Sequence, residues 1–447
     1  MSITLSEKDN GYIQGFAGFK KNAPGSELGW LKSIREQAIT KFSELGFPTL
    51  QDEDWRFTNV TPIARSSFEI LQNGHNKVSS ADLSPFQFEN TEVTELVFIN
   101  GRYSEDLSTH SKLPDGVIVK NLAEAIDSEQ EILKDNLAKY ADFKEEAFTA
   151  LNTAFMEDGG FVYIPKATIV ETPIHLLYIS TDGDNPSITN PRNLIIAEDN
   201  SEANIVEHYA SLADNIYLSN VVTEMVVGEN SSIGHYLIEL ESKKAFNIST
   251  LRAQQARSSN IKSHSVLLGG SLVRNNVHPV LAGEGCDSLI NGLYMTTHRQ
   301  HIDNYMKVEH ASPHCDSRQL YNGVLDGRSR GVFHGRIIVH EDAQKTDAKQ
   351  TNRNLLLSDN AQIDTKPQLE IYADDVKCTH GATIGQIDEN ALFYLRSRGI
   401  SEEASKDIIM HAFTNETLES MSVDSVKNYC YNLVANWFNQ RKEDQQA

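Results

Sequence analysis

Apolar residues recur at helical spacing near the start of the chain: after Ser26, Leu28, Leu31, Ile34, Ala38, Phe42 and Leu45 share one face until Gly46-Phe47-Pro48 ends the run. A second helical stretch from about Ala141 aligns Phe143, Ala147, Phe148, Leu151 and Ala154, and stops before Asp158-Gly159-Gly160. Between them, Leu96-Val97-Phe98-Ile99 reads as a short strand ahead of the turn Asn100-Gly101. From Gly160 the pattern changes to strand-sized runs, such as Phe161-Val162-Tyr163-Ile164, His175 to Ile179 and Asn193 to Ile196, with no long helical period before about residue 400. There Ser401 is an N-cap candidate, Glu402 and Glu403 suit a helix N-terminus, and Ala404, Ile408, Ile409 and Ala412 predict an apolar face. Val426, Tyr429, Leu433 and Trp437 mark a further helix, and Arg441 to Ala447 read as a solvated tail. The pattern thus predicts a mostly helical segment 1-158, a β core 159-395 and a helical segment 396-447.

Within the β region a short phrase recurs: an apolar residue, a small or polar one, an acid, then Asp or Asn. It stands as Ile196-Ala197-Glu198-Asp199, Val227-Gly228-Glu229-Asn230, Val339-His340-Glu341-Asp342, Leu357-Ser358-Asp359-Asn360 and Tyr372-Ala373-Asp374-Asp375, with a looser copy at Ala282-Gly283-Glu284-Gly285. Its intervals of 31, 55, 57, 18 and 15 residues are irregular. Strand and turn units of variable length favour a parallel β-helix over a propeller with uniform blades. A sandwich joined by ordinary Asp- and Asn-bearing turns is the competing architecture.

Composition narrows the function. The chain of 447 residues carries 40 Lys+Arg against 62 Asp+Glu, a net charge of −22, and no basic run, which disfavours nucleic acid and anionic membrane surfaces as partners. Residues Met1 to Asp9 show neither a basic region nor an apolar core of the kind that exports a protein, and no stretch reaches the 18 or so apolar residues of a membrane span, so a cytoplasmic location is expected. The four cysteines, Cys286, Cys315, Cys378 and Cys430, form no CxxC pair and no disulfide framework.

Familiar catalytic signatures are missing: there is no GxxxxGK[ST], GxGxxG, GxSxG or HExxH, so no nucleotide site is expected in this chain. Eight of 15 histidines (His264, His278, His298, His301, His310, His314, His334 and His340) lie between residues 264 and 340, but spread over several coils they are expected to be scattered rather than convergent. His310, His314 and Cys315 are the best subset, and Pro313 argues against a helix that would align them. A sharper signal is Lys377-Cys378-Thr379-His380-Gly381: in an extended segment Cys378 and His380 point to one side, as half of a soft-metal site. Packing of Cys378 beside a hydrogen-bonded His380 is the alternative; Cys286 and Cys430 are assigned to packing. Two ligands do not complete a tetrahedral site, so the rest would come from elsewhere or from another chain.

The run Cys378-Thr379-His380-Gly381-Ala382-Thr383-Ile384-Gly385, followed by Tyr394-Leu395-Arg396-Ser397-Arg398-Gly399-Ile400, resembles the SufD branch of the SufB/SufD family, which serves the SUF system of iron–sulfur cluster assembly. Gly323-Val324-Leu325-Asp326, Gly335-Arg336-Ile337 and Asp347 to Leu357 are similar to the core of that family, and Glu53-Asp54-Trp55-Arg56-Phe57-Thr58 and Val97 to Arg102 to its N-terminal region. SufB proteins tend to carry N-terminal cysteines and Glu-His-Glu in place of the Cys-x-His-Gly seen here.

The resemblance implies a mainly β fold, a right-handed parallel β-helix core flanked by N-terminal and C-terminal helical domains. It implies a scaffold rather than an enzyme, paired with SufB through the β-helix and bound to the SufC ATPase through its C-terminal helices, with a homodimer as a further option. His380, with Cys378 as an auxiliary thiol, is then the candidate ligand for iron or a nascent cluster shared with SufB. Arg396, Arg398, Gly399 and Ile400 fall in the expected SufC docking segment, and reduced flavin is implied as a reductant. The rival readings are a SufB-type scaffold and a β-helix metalloenzyme or polysaccharide lyase, which would need a complete metal site or a groove of carboxylates and basic residues.

Overall fold

The computed structural model describes residues 10–70, 78–183 and 185–446; the N-terminal residues Met1 to Asp9 and the last residue of the expected tail, Ala447, lie outside them. The fold is mainly β, a parallel solenoid flanked by N-terminal and C-terminal helices. Two sheets form its walls, one of 11 strands running from Gln362–Ile371 down to Ile118–Asn121, the other of 10 strands from Lys377–Gly385 down to Arg102–Tyr103. We call them sheets A and B. The chain alternates between them, so strands about one coil apart in sequence pair in parallel register, as Asp287–Thr296 does with Asp316–Leu325. Along each strand alternate residues face the interior, where Ile290, Tyr294, Ile302, Met306, Tyr321 and Phe333 pack into one apolar core.

The solenoid starts earlier than the change of pattern at Gly160 suggests. Thr94–Ile99 pairs in parallel with Ile174–Ser180, and Phe98, Tyr178 and Tyr209 stack as successive rungs with ring centres 4.6 and 4.7 Å apart. At that end both sheets finish in antiparallel pairs, Ile118–Asn121 on Gly160–Ile164 and Arg102–Tyr103 on Thr94–Ile99.

The recurring acidic phrase marks the corners, where the chain leaves a sheet and polar turns suit the exposed bend. Five of the six copies sit between a sheet A strand and the next sheet B strand, and Leu357-Ser358-Asp359-Asn360 lies at the opposite corner. The long intervals span two coils, because Arg257 and Pro313 occupy intervening corners that lack the acid.

Helices cover the outer faces. Helix Gly29–Leu45, closed by Gly46 at φ 64°, packs with Asn10–Asn22 and Ala147–Phe155 on sheet A, where Phe42, Phe148 and Phe155 meet Leu218, Phe246 and Ile248. Helices Glu402–Leu418 and Asp424–Gln446 cover sheet B through Met410, Leu418, Val426, Cys430 and Trp437. Ser401 caps the first of these by accepting from the Ala404 N–H at 3.3 Å.

Three C-terminal expectations change. Helix Glu389–Ser397 begins before residue 396. The buried face of Glu402–Leu418 is Ser405, Met410, Thr414, Thr417 and Leu418, whereas Ile408 and Ala412 of the expected apolar face are exposed, because sheet B offers that helix a partly polar surface. Arg441 and Lys442 are no part of a free tail: both lie inside the last helix, where Arg441 pairs with Asp326 on the solenoid and Lys442 with Asp407 of helix Glu402–Leu418 at 2.7 Å. Among the described residues no helix is long and apolar enough to cross a membrane.

Candidate functional site

Cys378 and His380 lie on Lys377–Gly385, the terminal strand of sheet B, which pairs on one side only, with Asp347–Leu356. The register sets Cys378 beside Ala348 and His380 beside Gln350, both buried, while the intervening Lys349 and Thr351 are not. Both side chains therefore share the inner side of the last rung, as alternation along an extended segment requires. With no further coil above, that inner side opens outward: His380 is exposed, and Cys378 is half-buried against Ile337, Val339 and Ala348. Burial pushes the Cys378 thiol pKa up, so a metal ion would have to displace its proton to bind sulfur.

Following the ladder downward, the positions equivalent to Cys378 are Ala348, Ser317, Ser288, Ile261, Ile233 and Ala203, and those equivalent to His380 are Gln350, Gln319, Ile290, Ser263, His235 and Ile205. A thiol is thus peculiar to the last rung of this column, and coil geometry does not dictate the pair.

The clustered histidines take separate partners. His264 Nε2 lies 2.9 Å from Ser420 Oγ, His310 Nε2 2.8 Å from Ser317 Oγ, and His334 Nε2 2.7 Å from Gln368 Oε1. His314 occupies a corner at φ 60°, away from the ring of His310, and Cys315 is buried. His278 and His340 do converge, on Glu309 at 2.9 and 3.5 Å, and Lys307 reaches the same carboxylate at 2.5 Å. Among the described residues no group of three or more His, Cys, Asp or Glu side chains is arranged to hold a metal ion.

A cleft of about 630 Å³ between the N-terminal segment and sheet A does gather acids and bases, among them Glu53, Asp54, Arg252, Arg274, Lys307 and Arg336. Its cations already have carboxylate partners: Arg252 with Glu146, Arg274 with Asp303, Lys307 with Glu309 and Arg336 with Glu370. They hold the molecule together rather than offering free charge to a sugar chain.

At the other candidate surface, Arg396 pairs with Glu402 at 3.3 Å, the Arg398 guanidinium stands 4.5 Å from the centre of the Tyr394 ring, and Gly399 turns the chain at φ 87° into Ile400 and the following helix. Pattern reasoning overlooked the residues beside them. Phe393, 74% exposed, Tyr394, 55% exposed, and Ile408 of the following helix are large apolar side chains left in solvent.

Comparison with known proteins bears on both places. Residues 178–413 match the family model for the SUF system FeS cluster assembly SufBD core domain, and residues 6–176 match the SufBD protein N-terminal region. The chain belongs to the SufB/SufD family. It is 32% identical over 411 residues to an iron–sulfur cluster assembly SufBD family protein of Synechocystis, covering 90% of each chain. It is 30% identical over 398 residues to the iron–sulfur cluster assembly protein SufD of Escherichia coli, covering 88% of this chain and 89% of that one. The SufD of Bacillus subtilis is 26% identical over 448 residues, covering 97% and 99%. This SufB/SufD family member is therefore an iron–sulfur cluster assembly protein, and two of these three relatives carry the SufD name.

Proposed function

We propose that this chain is a non-catalytic scaffold subunit that pairs with a SufB-type paralogue across the open end of its solenoid and presents His380, with Cys378 as an auxiliary thiol, to iron or a nascent cluster. The observation that carries this reading is the position of the pair: two ligand-type side chains on an uncovered terminal rung, short of a complete site, with a strand edge beside them able to accept another strand. The iron and the cluster are cargo, and the partner supplies the remaining ligands. Arg396 to Ile400 with Phe393, Tyr394 and Ile408 form the surface for the SufC ATPase, which brings the nucleotide this chain is not expected to bind. Reduced flavin is the electron source that family membership suggests, and no residue of this chain is assigned to it.

Co-expression with the cognate SufB and SufC tests the reading. His380→Ala should leave the three-protein complex intact while lowering the cluster absorbance of the purified complex; full cluster yield in that variant refutes the ligand role. A complex that fails to form even with the unaltered chain refutes the scaffold itself.

A further inference from the structure

The residues just before six successive sheet B strands form a column up one corner: Ser201, Ser231, Ser259, Cys286, Cys315 and Thr346. Each carbonyl accepts the N–H that follows the next rung, as from Ser232 to Ser201 at 2.9 Å, Asp287 to Ser259 at 3.0 Å and Asp316 to Cys286 at 2.9 Å. All six are at most 2% exposed. Of the four hydroxyl rungs, Ser231 donates across the coil to Glu198 at 2.6 Å, and the other three turn back to the carbonyl three residues earlier, Ser201 to Glu198 at 2.6 Å, Ser259 to Ala256 at 2.7 Å and Thr346 to Ala343 at 2.9 Å. Cys286 copies this bond, to Gly283 at 3.1 Å, and Cys315 reaches the same Gly283 oxygen at 3.3 Å.

Serine performs the structural task in three rungs, so packing gives no reason for sulfur in the next two. Adjacent strands in register stand roughly 4.8 Å apart, inside the window of about 4.4–6.8 Å between Cα atoms that a disulfide spans. Both sulfurs face the one Gly283 oxygen, at 3.1 and 3.3 Å, and the neighbouring Cys315 thiol draws the pKa of Cys286 down to about 7 while that of Cys315 is pushed up. Cys286 is therefore the thiol of the two that gives up its proton first. The corner residues over them, Glu284, Gly285 and His314, are exposed, which gives a small oxidant a short approach.

We propose that Cys286 and Cys315 are a redox-active dithiol, converted by a hydroperoxide into an intrachain disulfide that staples two successive coils. The Cys286 thiolate attacks the peroxide oxygen, the O–O bond breaks, and a sulfenic acid forms with release of hydroxide or alkoxide. The Cys315 sulfur then attacks the Cys286 sulfur; the S–S bond forms, the S–O bond breaks, and the oxygen leaves as water with the Cys315 proton. The two thiols lose two electrons in all and the peroxide gains them. A small thiol reverses the change by exchange through a mixed disulfide.

The full chain, treated with hydrogen peroxide, unfolded, alkylated and mapped by mass spectrometry, tests this. Cys286 and Cys315 should lose alkylation together, about tenfold or more faster than buried Cys430, and appear as one linked peptide pair that dithiothreitol dissolves. Cys286→Ser and Cys315→Ser should each remove the linked pair with an unchanged circular dichroism spectrum, since serine already occupies three rungs of the column. In Cys315→Ser, dimedone should label Cys286. Both thiols still alkylatable after treatment, linkage of either to Cys378 instead, or Cys315→Ser without dimedone label would overturn the proposal.

Discussion

The guanidinium of Arg274 lies 3.9 Å from the centre of the Trp55 ring, and the same group pairs with Asp303. Trp55 belongs to the N-terminal segment and Arg274 to the outer face of sheet A, so one cation fastens the segment to the solenoid. Thr58 adds a second tie, its hydroxyl donating to Asp303 at 2.5 Å. Arg274→Ala removes the stacking and leaves Asp303 charged and buried, so we expect a loss of about 3–5 kcal/mol in urea unfolding. A loss under roughly 1 kcal/mol would mean that the segment is held by its apolar contacts alone.

His380 and Cys378 should be nearly silent in stability. His380 is exposed on the last rung and Cys378 is only half-buried, so His380→Ala and Cys378→Ser are each expected to change unfolding free energy by about 0.5 kcal/mol or less. Chemical denaturation of the isolated variants checks this. A much larger change in His380→Ala would assign its effect on cluster yield to damaged folding.

The exposed apolar surface beside Arg398 predicts a separable defect. Phe393→Asp places a charge where 74% of the residue is already in solvent, so folding should be unaffected while retention of the SufC ATPase in pull-down falls at least about tenfold. Undiminished retention would move the docking surface elsewhere.

Two buried histidines should cost the fold stability in mild acid. His264, stacked on Tyr236, and His310, on the inner face beside Ser317, are buried, and burial lowers their pKa values from 6.5 to about 4. Between those values each of these histidines binds more proton in the unfolded chain than in the folded one, so its contribution to stability is full above pH 6.5 and is lost as the pH drops toward 4, opposed over part of that window by buried Glu239 and Glu241, whose pKa values burial raises. Across that window the urea midpoint of the unaltered chain should fall, on acidification, relative to that of His264→Gln. Equal slopes would exclude His264 as a contributor.

Much of this was legible in the chain because corners and strand lengths leave local marks. The phrase at Glu198, Glu229, Glu284, Glu341 and Asp374 falls at one corner, and its intervals look irregular only because Arg257 and Pro313 fill that corner in other coils. Cys378 and His380 were visible as an alternating pair. What was hidden depends on register. The column that brings Cys286 beside Cys315 joins residues a whole coil apart, and no local pattern reports which residue lies above which. Likewise Ile408 looked like core by spacing, but burial depends on what lies opposite, and its helix turns another face to sheet B.

The two ends of the solenoid differ. At one, both sheets finish in antiparallel strands, Ile118–Asn121 and Arg102–Tyr103. At the other, Gln362–Ile371 carries Pro367, which has no N–H to offer a neighbour, whereas Lys377–Gly385 contains no proline. A solenoid extendable at both ends would add copies head to tail without limit, as fibres do. Here the two ends offer different strand directions, so a second chain that docks as a further parallel rung has its matching edge at Lys377–Gly385, and the scaffold has a direction as well as a length.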